Sequence, residues 1–310
     1  MKGYEARRTI VIFTRIRQIR PDLVFSRSIL NFLYAYMRGA DNWIYEVHMA
    51  VTYSQRLLRN CLDRALKMVV NQRNRRFLMI AICERLREYW IRQGINPDHI
   101  KTLHDAVDPG RFNQLSRSSA LARLGWNSDS RIIMYTGSLR RNRGIEHIIE
   151  AAKKHSDVKF YLIGGPEQDR QHYVNYVTRS NLRHVHVLPA VPHREIPTYL
   201  AAADALLMTS SSQVPHYSHG SPMKMFEYMA AERLILGHWF PTILEVLTPE
   251  EEAILFEPDS ATAISNAVER FRSGRYLPDM ARNAYAKVCS SYTWAKRATA
   301  IVDFFSRFRG

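Results

Sequence analysis

The chain has 310 residues, 46% hydrophobic and 24% charged, an ordinary globular composition with room for two α/β domains. No apolar run reaches the ~18 residues needed to span a bilayer, and Arg15 and Arg17 break the apolar stretch near the N-terminus into a poor signal peptide, so a cytoplasmic protein is expected. The net charge is +15, and residues 1–112 hold 20 Lys and Arg against 10 Asp and Glu, which points to an anionic partner: phosphate groups, an acidic membrane surface or nucleic acid.

Residues 5–20 carry Ile10, Ile12, Phe13, Ile16 and Ile19 at helical spacing between arginines, which predicts a basic amphipathic helix ended by Pro21. PDLVFSRS (21–28) then reads as a short buried strand, 28–37 as a helix closed by Gly39, and WIYEV (43–47) as a second strand. A long helix is predicted over 49–70, a third strand over 77–82, a helix over 84–93 stopped by Gly94, and a fourth strand beginning at 101–103. Alternation of strand and helix implies a parallel sheet with helices on both faces. Residues 113–128 hold turn residues and a short helical segment, and the domain boundary is placed there. Beyond it, strands are predicted at 131–135, 159–163, 184–188, 205–208 and 234–236. They alternate with helices at 144–154, 167–180, 196–202, 223–231 and 261–272. The fold class expected is α/β, two Rossmann-like domains with a cleft between them and ligands at the carboxyl ends of the strands.

Two segments could carry chemistry. The first, Tyr135-Thr136-Gly137-Ser138-Leu139-Arg140-Arg141-Asn142-Arg143-Gly144, is a glycine turn between a strand and a helix. Backbone N–H groups and the positive end of a helix dipole converge there, a setting that favours a diphosphate. Arg143 could add a charge-assisted hydrogen bond; equally, Gly137 could simply make the turn and the arginines be solvated. The second segment runs from Ser218 to Ala230 and leads a serine-rich loop into a helix with Pro222 at an early position. The N–H groups of Gly220, Ser221 and Met223 are expected to face a ligand, and Lys224 and Glu227, three apart, share one helix face. An ordinary surface ion pair would have the same spacing. Cys61, Cys83 and Cys289 match no metal-ligand pattern and read as idle thiols.

Eight segments, in order and spacing, resemble one family. RPDLVFSR resembles its "rPDvvh" strand, WIYEVH its "y..H" strand end and FLMIAICERLRE its "iv.iS..l...l". TLHDAVDPGRF is similar to "vi.nGvD...F" and YTGSLRRNRGIEHIIEAA to "vGrl...KG.d.lieA". VHVLPAVPHREIPTYLAAADALLMTS, SPMKMFEYMAAERLIL and SYTWAKRA resemble its "v.flG.v...el..ly..ADv.v.pS", "s...K.fEyMA.g.Pvv" and closing "ysW...a". The family is the retaining GT-B glycosyltransferases of family 4, the glycosyl transferases group 1. The resemblance implies a hexosyltransferase without a metal or other cofactor, using a UDP- or GDP-sugar as donor and a hydroxyl of a glycan, lipid-linked or small-molecule acceptor.

By the same resemblance Glu227 holds the ribose hydroxyls, Arg143 stands where a Lys usually contacts the diphosphate, and Lys224 lies beside the leaving phosphate. The N–H groups of Gly220, Ser221 and Met223, on either side of Pro222, bind the transferred sugar or its phosphate, and Val191 lies where the base stacks; Gly137 and Ser138 are placed in the same donor site. His48 resembles a catalytic His that approaches sugar and acceptor, and His219 occupies the place of the motif's first Glu. Ser138 stands where Arg is usual, and Ala106 departs from the "nGvD" turn. Family members begin with a strand, a Gly-rich loop and two further β/α units before "rPDvvh", and this chain has at most one helix there. A shortened N-terminal domain is therefore expected over 1–115, a nucleotide-sugar domain over 116–292, and a C-terminal helix over 293–310 crossing back to the first. The short front end also suits a nucleotide-sugar-binding half-enzyme that needs a partner chain, a second copy or an anionic membrane surface on the cytoplasmic face. Nucleic acid is disfavoured as a partner, because no RRM, KH or zinc pattern is present.

Overall fold

A computed structural model describes residues 16–308 apart from residues 17, 51–55, 73–74, 113–114, 127–128, 215–218 and 277, and apart from the side chains of Arg56 and Asn142. The helix expected over 5–20 lies, except for its last turn, outside the described residues. The chain forms two compact units, residues 1–104 with 298–310, and residues 105–297.

The first unit alternates β1 (Val24–Ser26), α1 (Ile29–Met37), β2 (Trp43–Val47), α2 (Arg56–Val70), β3 (Phe77–Ala81), α3 (Glu84–Arg92) and β4 (Ile100–Thr102). Its strands are all parallel in the order β1-β2-β3-β4. Ser28 caps α1 by accepting a hydrogen bond from the Asn31 N–H. Every residue of β2 and β3 is buried, as expected of parallel strands covered on both faces. The two-residue period sorts their side chains. Trp43, Tyr45, Phe77 and Met79 meet Phe32, Leu66, Val69, Leu86 and Trp90 from α1–α3. Ile44, Leu78 and Ile80 face the other way, against Phe304 of the last helix, α12 (Trp294–Ser306). The helices named as α1–α3 therefore share one face, and the C-terminal helix covers the second.

The second unit begins at Asp105, ahead of the boundary placed at 116. Val107 bridges to Thr293, and Phe112 packs in the core of this unit, so both belong to it. Its elements in chain order are α4 (Arg117–Leu124), β5 (Arg131–Thr136), α5 (Ile145–Ala152), β6 (Val158–Ile163), α6 (Glu167–Arg179), β7 (Val185–Leu188) and α7 (Ile196–Ala202). There follow β8 (Ala205–Met208), α8 (Met223–Ala230), β9 (Leu234–His238), α9 (Pro241–Leu244), β10 (Ile254–Phe256), α10 (Ala261–Arg272) and α11 (Met280–Ser291). The six parallel strands lie in the order β10-β9-β8-β5-β6-β7. Ile132, Met134, Leu206 and Met208 face α4, α7, α8 and α11, whereas Ile133, Tyr135, Leu162 and Leu207 face α5, α6 and α10. This is a three-layer α/β/α sandwich with hydrophobic burial on both faces of the sheet.

β2, α7, β8 and α10 span the residues predicted for them. Among the described residues α2 starts at Arg56 rather than 49, and α9, β10 and α11 add to the predicted elements. No helix among the described residues is long and apolar enough to cross a membrane.

Phe304 is 6% exposed and closes the second face of the first unit's sheet. Phe304→Ala is expected to destabilise that unit by about 3–5 kcal/mol through lost burial and the cavity it leaves. Urea unfolding followed by the fluorescence of Trp43 and Trp90 checks this.

Candidate functional site

In the second unit the chain lays down β5, β6 and β7 in one direction, then returns to place β8 on the other side of β5. The loops leaving β5 and β8 therefore diverge, and such a switch point opens a crevice at the strands' carboxyl ends. A cavity of about 570 Å³ occupies that position, a size suited to a small ligand. Thr136, Gly137 and Ser138 line it after β5, Ile163, Gly164 and Gly165 after β6, and Ala190, Val191 and His193 after β7. The start of α8 contributes Gly220, Ser221, Pro222, Met223, Lys224 and Glu227, and Arg143 and Ile196 complete the wall.

Two glycines make this packing possible. The Gly137 N–H donates to the Ile163 carbonyl at 3.0 Å and the Leu139 N–H to the Gly165 carbonyl at 2.8 Å. A Cβ on Gly164 would stand 1.7 Å from the Gly137 oxygen, and one on Gly137 would stand 2.7 Å from Lys224 Nζ. Gly164 has no room for a side chain, and at Gly137 a side chain would meet a φ of +139° and displace the Lys224 ammonium. The second turn of α8 is tied to the end of β5, where Tyr228 Oη accepts from the Thr136 N–H at 2.8 Å, and the turn after β5 is closed by Tyr135 Oη, which donates to the Ser138 carbonyl at 2.9 Å. The first N–H groups of α8 have no acceptor within the helix, so this end of the cavity favours an anion.

The charges agree with that preference. Lys224 Nζ sits 3.9 Å from the centre of the Tyr135 ring, a cation–π contact. Burial and then the nearby Arg143 guanidinium push the Lys224 ammonium down to about 7, with Glu227 acting in the opposite sense. Arg143 is itself lowered, chiefly by burial. Two cations held close together in a poorly solvated wall are strained electrostatically, and a bound anion relieves them both. Burial and then Lys224, countered by a hydrogen bond from the His238 ring to the Met208 carbonyl, bring His238 down to about 4, so that it remains neutral. Glu227, on the same face of α8 as Lys224, receives a hydrogen bond from His193 Nε2 at 2.9 Å.

Of the residues singled out in the sequence, Gly137, Ser138, Arg143, Val191, Gly220, Ser221, Pro222, Met223, Lys224 and Glu227 line this one cavity. Ser218 lies outside the described residues, and His219, just before Gly220, is not among the lining residues. His48 belongs to the first unit. It follows β2, donates from Nε2 to the buried Glu46 carboxylate at 2.5 Å, and accepts at Nδ1 from Arg27 at 2.9 Å. Besides the apolar Ile163, Ala190 and Ile196, the structure adds Gly164, Gly165 and His193 to the cavity. The Gly-Gly-Pro turn after a predicted strand was the available signal for the first two; nothing local marks His193. Among the described residues no group of three His, Cys, Asp or Glu is placed to hold a metal ion.

The family model for glycosyl transferases group 1 matches residues 116–287, more than half of the chain. The chain belongs to this family. Among curated relatives of this group 1 chain, "Putative teichuronic acid biosynthesis glycosyltransferase TuaC" of Bacillus subtilis is 27% identical over 192 residues, covering 61% of this chain and 45% of the relative. D-inositol 3-phosphate glycosyltransferase 1 of Catenulispora acidiphila is 27% identical over 133 residues, 39% of this chain and 32% of its own. The chain thus spans less than half the length of these relatives. Anabaena Alr3699/HepE, solved with UDP and glucose, superposes with a TM-score of 0.73 at 18% identity over 94% of this chain and 80% of that one. A glycosyltransferase from Rickettsia africae gives 0.79 at 13% identity over 97% and 80%. The architecture is that of GT-B glycosyltransferases, with two Rossmann-like parallel sheets.

The lowered Lys224 gives the group 1 cavity a pH signature. Without ligand the ammonium loses its proton above about pH 7, whereas a bound diphosphate raises its proton affinity. Diphosphate binding therefore takes up a proton above that pH. Affinity is expected to be higher below pH 7 and to lose up to about tenfold per pH unit above it. Calorimetry with pyrophosphate across pH 6–9, with Lys224→Met correcting for the ligand's own ionisation, checks the difference between the two proteins.

Proposed function

We propose that this chain is a retaining, family 4 glycosyltransferase that moves a hexose from a nucleoside diphosphate sugar to an acceptor hydroxyl without a metal ion. The observation that carries this reading is the switch-point cavity, with Lys224, Arg143 and the start of α8 at one end and the Glu227 carboxylate on the same helix face. A ligand with a diphosphate and vicinal hydroxyls matches that pairing of cations and carboxylate. The UDP and glucose in the Anabaena neighbour, whose fold this chain shares, support the choice of donor.

Glu227 accepts hydrogen bonds from the ribose hydroxyls, and Val191 packs against the base. Arg143, Lys224 and the free N–H groups of Met223 and Lys224 hold the diphosphate. The bond between the anomeric carbon and the β-phosphate oxygen breaks, and its electron pair stays on the phosphate. Those cations and N–H groups stabilise the charge that develops there. The acceptor oxygen bonds to the anomeric carbon on the face that the phosphate leaves, and its proton passes to a phosphate oxygen. The named relatives act on D-inositol 3-phosphate or serve teichuronic acid biosynthesis. With a net charge of +15, an anionic acceptor of glycan, lipid-linked or small-molecule type suits this chain.

Two measurements test the reading. Glu227→Ala is expected to abolish donor binding and leave the fold intact, and Arg143→Ala to weaken diphosphate binding by about 1.5–3 kcal/mol, the scale of hydrogen bonds to charged groups. Proton NMR of the first product formed is expected to show the donor's anomeric configuration. Inverted product would refute retention, and unchanged UDP and GDP affinity in Glu227→Ala would refute the donor site.

A further inference from the structure

We propose that His193 is a positioning residue that holds the Glu227 carboxylate in the orientation that receives the donor's ribose; the proposal rests on the nucleotide-sugar reading of the cavity. The two residues come from different elements. His193 follows β7 in the segment that carries Ala190 and Val191, and Glu227 lies on α8. His193 Nε2 is 2.9 Å from Glu227 Oε1, and Arg111 Nη2 is 3.3 Å from His193 Nδ1. A guanidinium only donates. Nδ1 must therefore be the acceptor, and the ring proton sits on Nε2, aimed at the carboxylate. Arg111 thus selects the tautomer in which His193 serves Glu227.

Arg111 is placed in turn by local chemistry. It ends the short 3-10 turn Pro109–Arg111, where the Asp108 side chain accepts from the Gly110 N–H at 3.2 Å, and the neighbouring Phe112 is buried. A relay from this turn through His193 to Glu227 follows. Glu227 is a long side chain on a helix surface, with only 13% of it exposed. With Oε1 held by His193, Oε2 has no protein donor among the described residues and is left for a ligand hydroxyl. A carboxylate fixed before the ligand arrives loses less rotamer freedom on binding. It also makes a missing ribose hydroxyl costly, because the site's acceptor is then left unpaired. His193 itself is 61% exposed at its side chain and is not part of the core.

The test is calorimetry on the intact chain with UDP and 2′-deoxy-UDP, GDP and 2′-deoxy-GDP, and pyrophosphate. The wild type is expected to prefer the ribonucleotide by about tenfold. His193→Ala should lose about tenfold in affinity for the ribonucleotide, and the preference over the deoxy form should shrink to about twofold or less. Its pyrophosphate affinity and melting temperature should stay at wild-type values. His193→Asn, which keeps an N–H donor, should recover part of the preference, and Arg111→Ala should reduce it to a smaller extent than His193→Ala. A His193→Ala protein with the wild-type ratio of ribo to deoxy affinity would overturn the positioning role and leave the donor site standing. A wild type that binds neither ribonucleotide more tightly than pyrophosphate would overturn the donor reading, and this proposal with it.

Discussion

The site depends on the near contact of two backbones at the carboxyl ends of β5 and β6. Gly137 and Gly164 approach so closely that a methyl group on the second would lie 1.7 Å from the carbonyl oxygen of the first. That approach lets the turn after β5 lie flat across the end of the sheet, fixed by hydrogen bonds to the Ile163 and Gly165 carbonyls. The flat turn leaves space for Lys224 to reach across Gly137 and stand over the Tyr135 ring. From there the cavity follows: α8 docks through Tyr228 on the Thr136 N–H, and its first turn points at the space that remains. A side chain at Gly164 would push the turn away, and one at Gly137 would displace Lys224 from the cavity wall.

The same arrangement holds two cations in a poorly solvated wall. Burial lowers both Lys224 and Arg143, and the Arg143 guanidinium further disfavours the Lys224 charge, as Arg140 does that of Arg143. Such strain is a cost to the folded chain that a core built for stability alone would avoid, by placing an apolar residue or a carboxylate partner there. Its location at a topological switch point, beside free helix N–H groups, connects the cost to ligand binding. The first unit has a comparable feature in the buried Glu46, which is matched by His48 and Arg27 at the ends of β2 and β1.

Much of this could be read from the sequence, because parallel strands buried on both faces are near-continuous apolar runs. WIYEV, ALLM and the strand RIIMYT announce themselves by composition, and the helices between them by a 3.6-residue period. Elements with weaker signals were not legible. β10 is three residues at the sheet edge, and α11 buries a narrow seam of Met280, Ala284 and Val288, two small or unbranched side chains among three. The glycine turn at 137 and the Lys224–Glu227 face were visible as local spacing. His193 was not, because its partners Arg111 and Glu227 are 82 and 34 residues away and only the fold brings them together. The extent of the second unit also needed the structure, since Val107 and Phe112 join its core across a segment that reads as a linker.

The most direct test of the central claim is a calorimetric titration of the whole chain with uridine, UDP and UDP-glucose and with the guanosine and mannose counterparts, at pH 6.5 and low salt. If the cavity is a nucleotide-sugar site, one diphosphate series binds with one-to-one stoichiometry, and removing the two phosphates to leave the nucleoside weakens binding by about 1.5–3 kcal/mol or more, the scale of losing charge-assisted hydrogen bonds. Equal affinity for nucleoside and nucleoside diphosphate, or no binding in either series, would contradict the account.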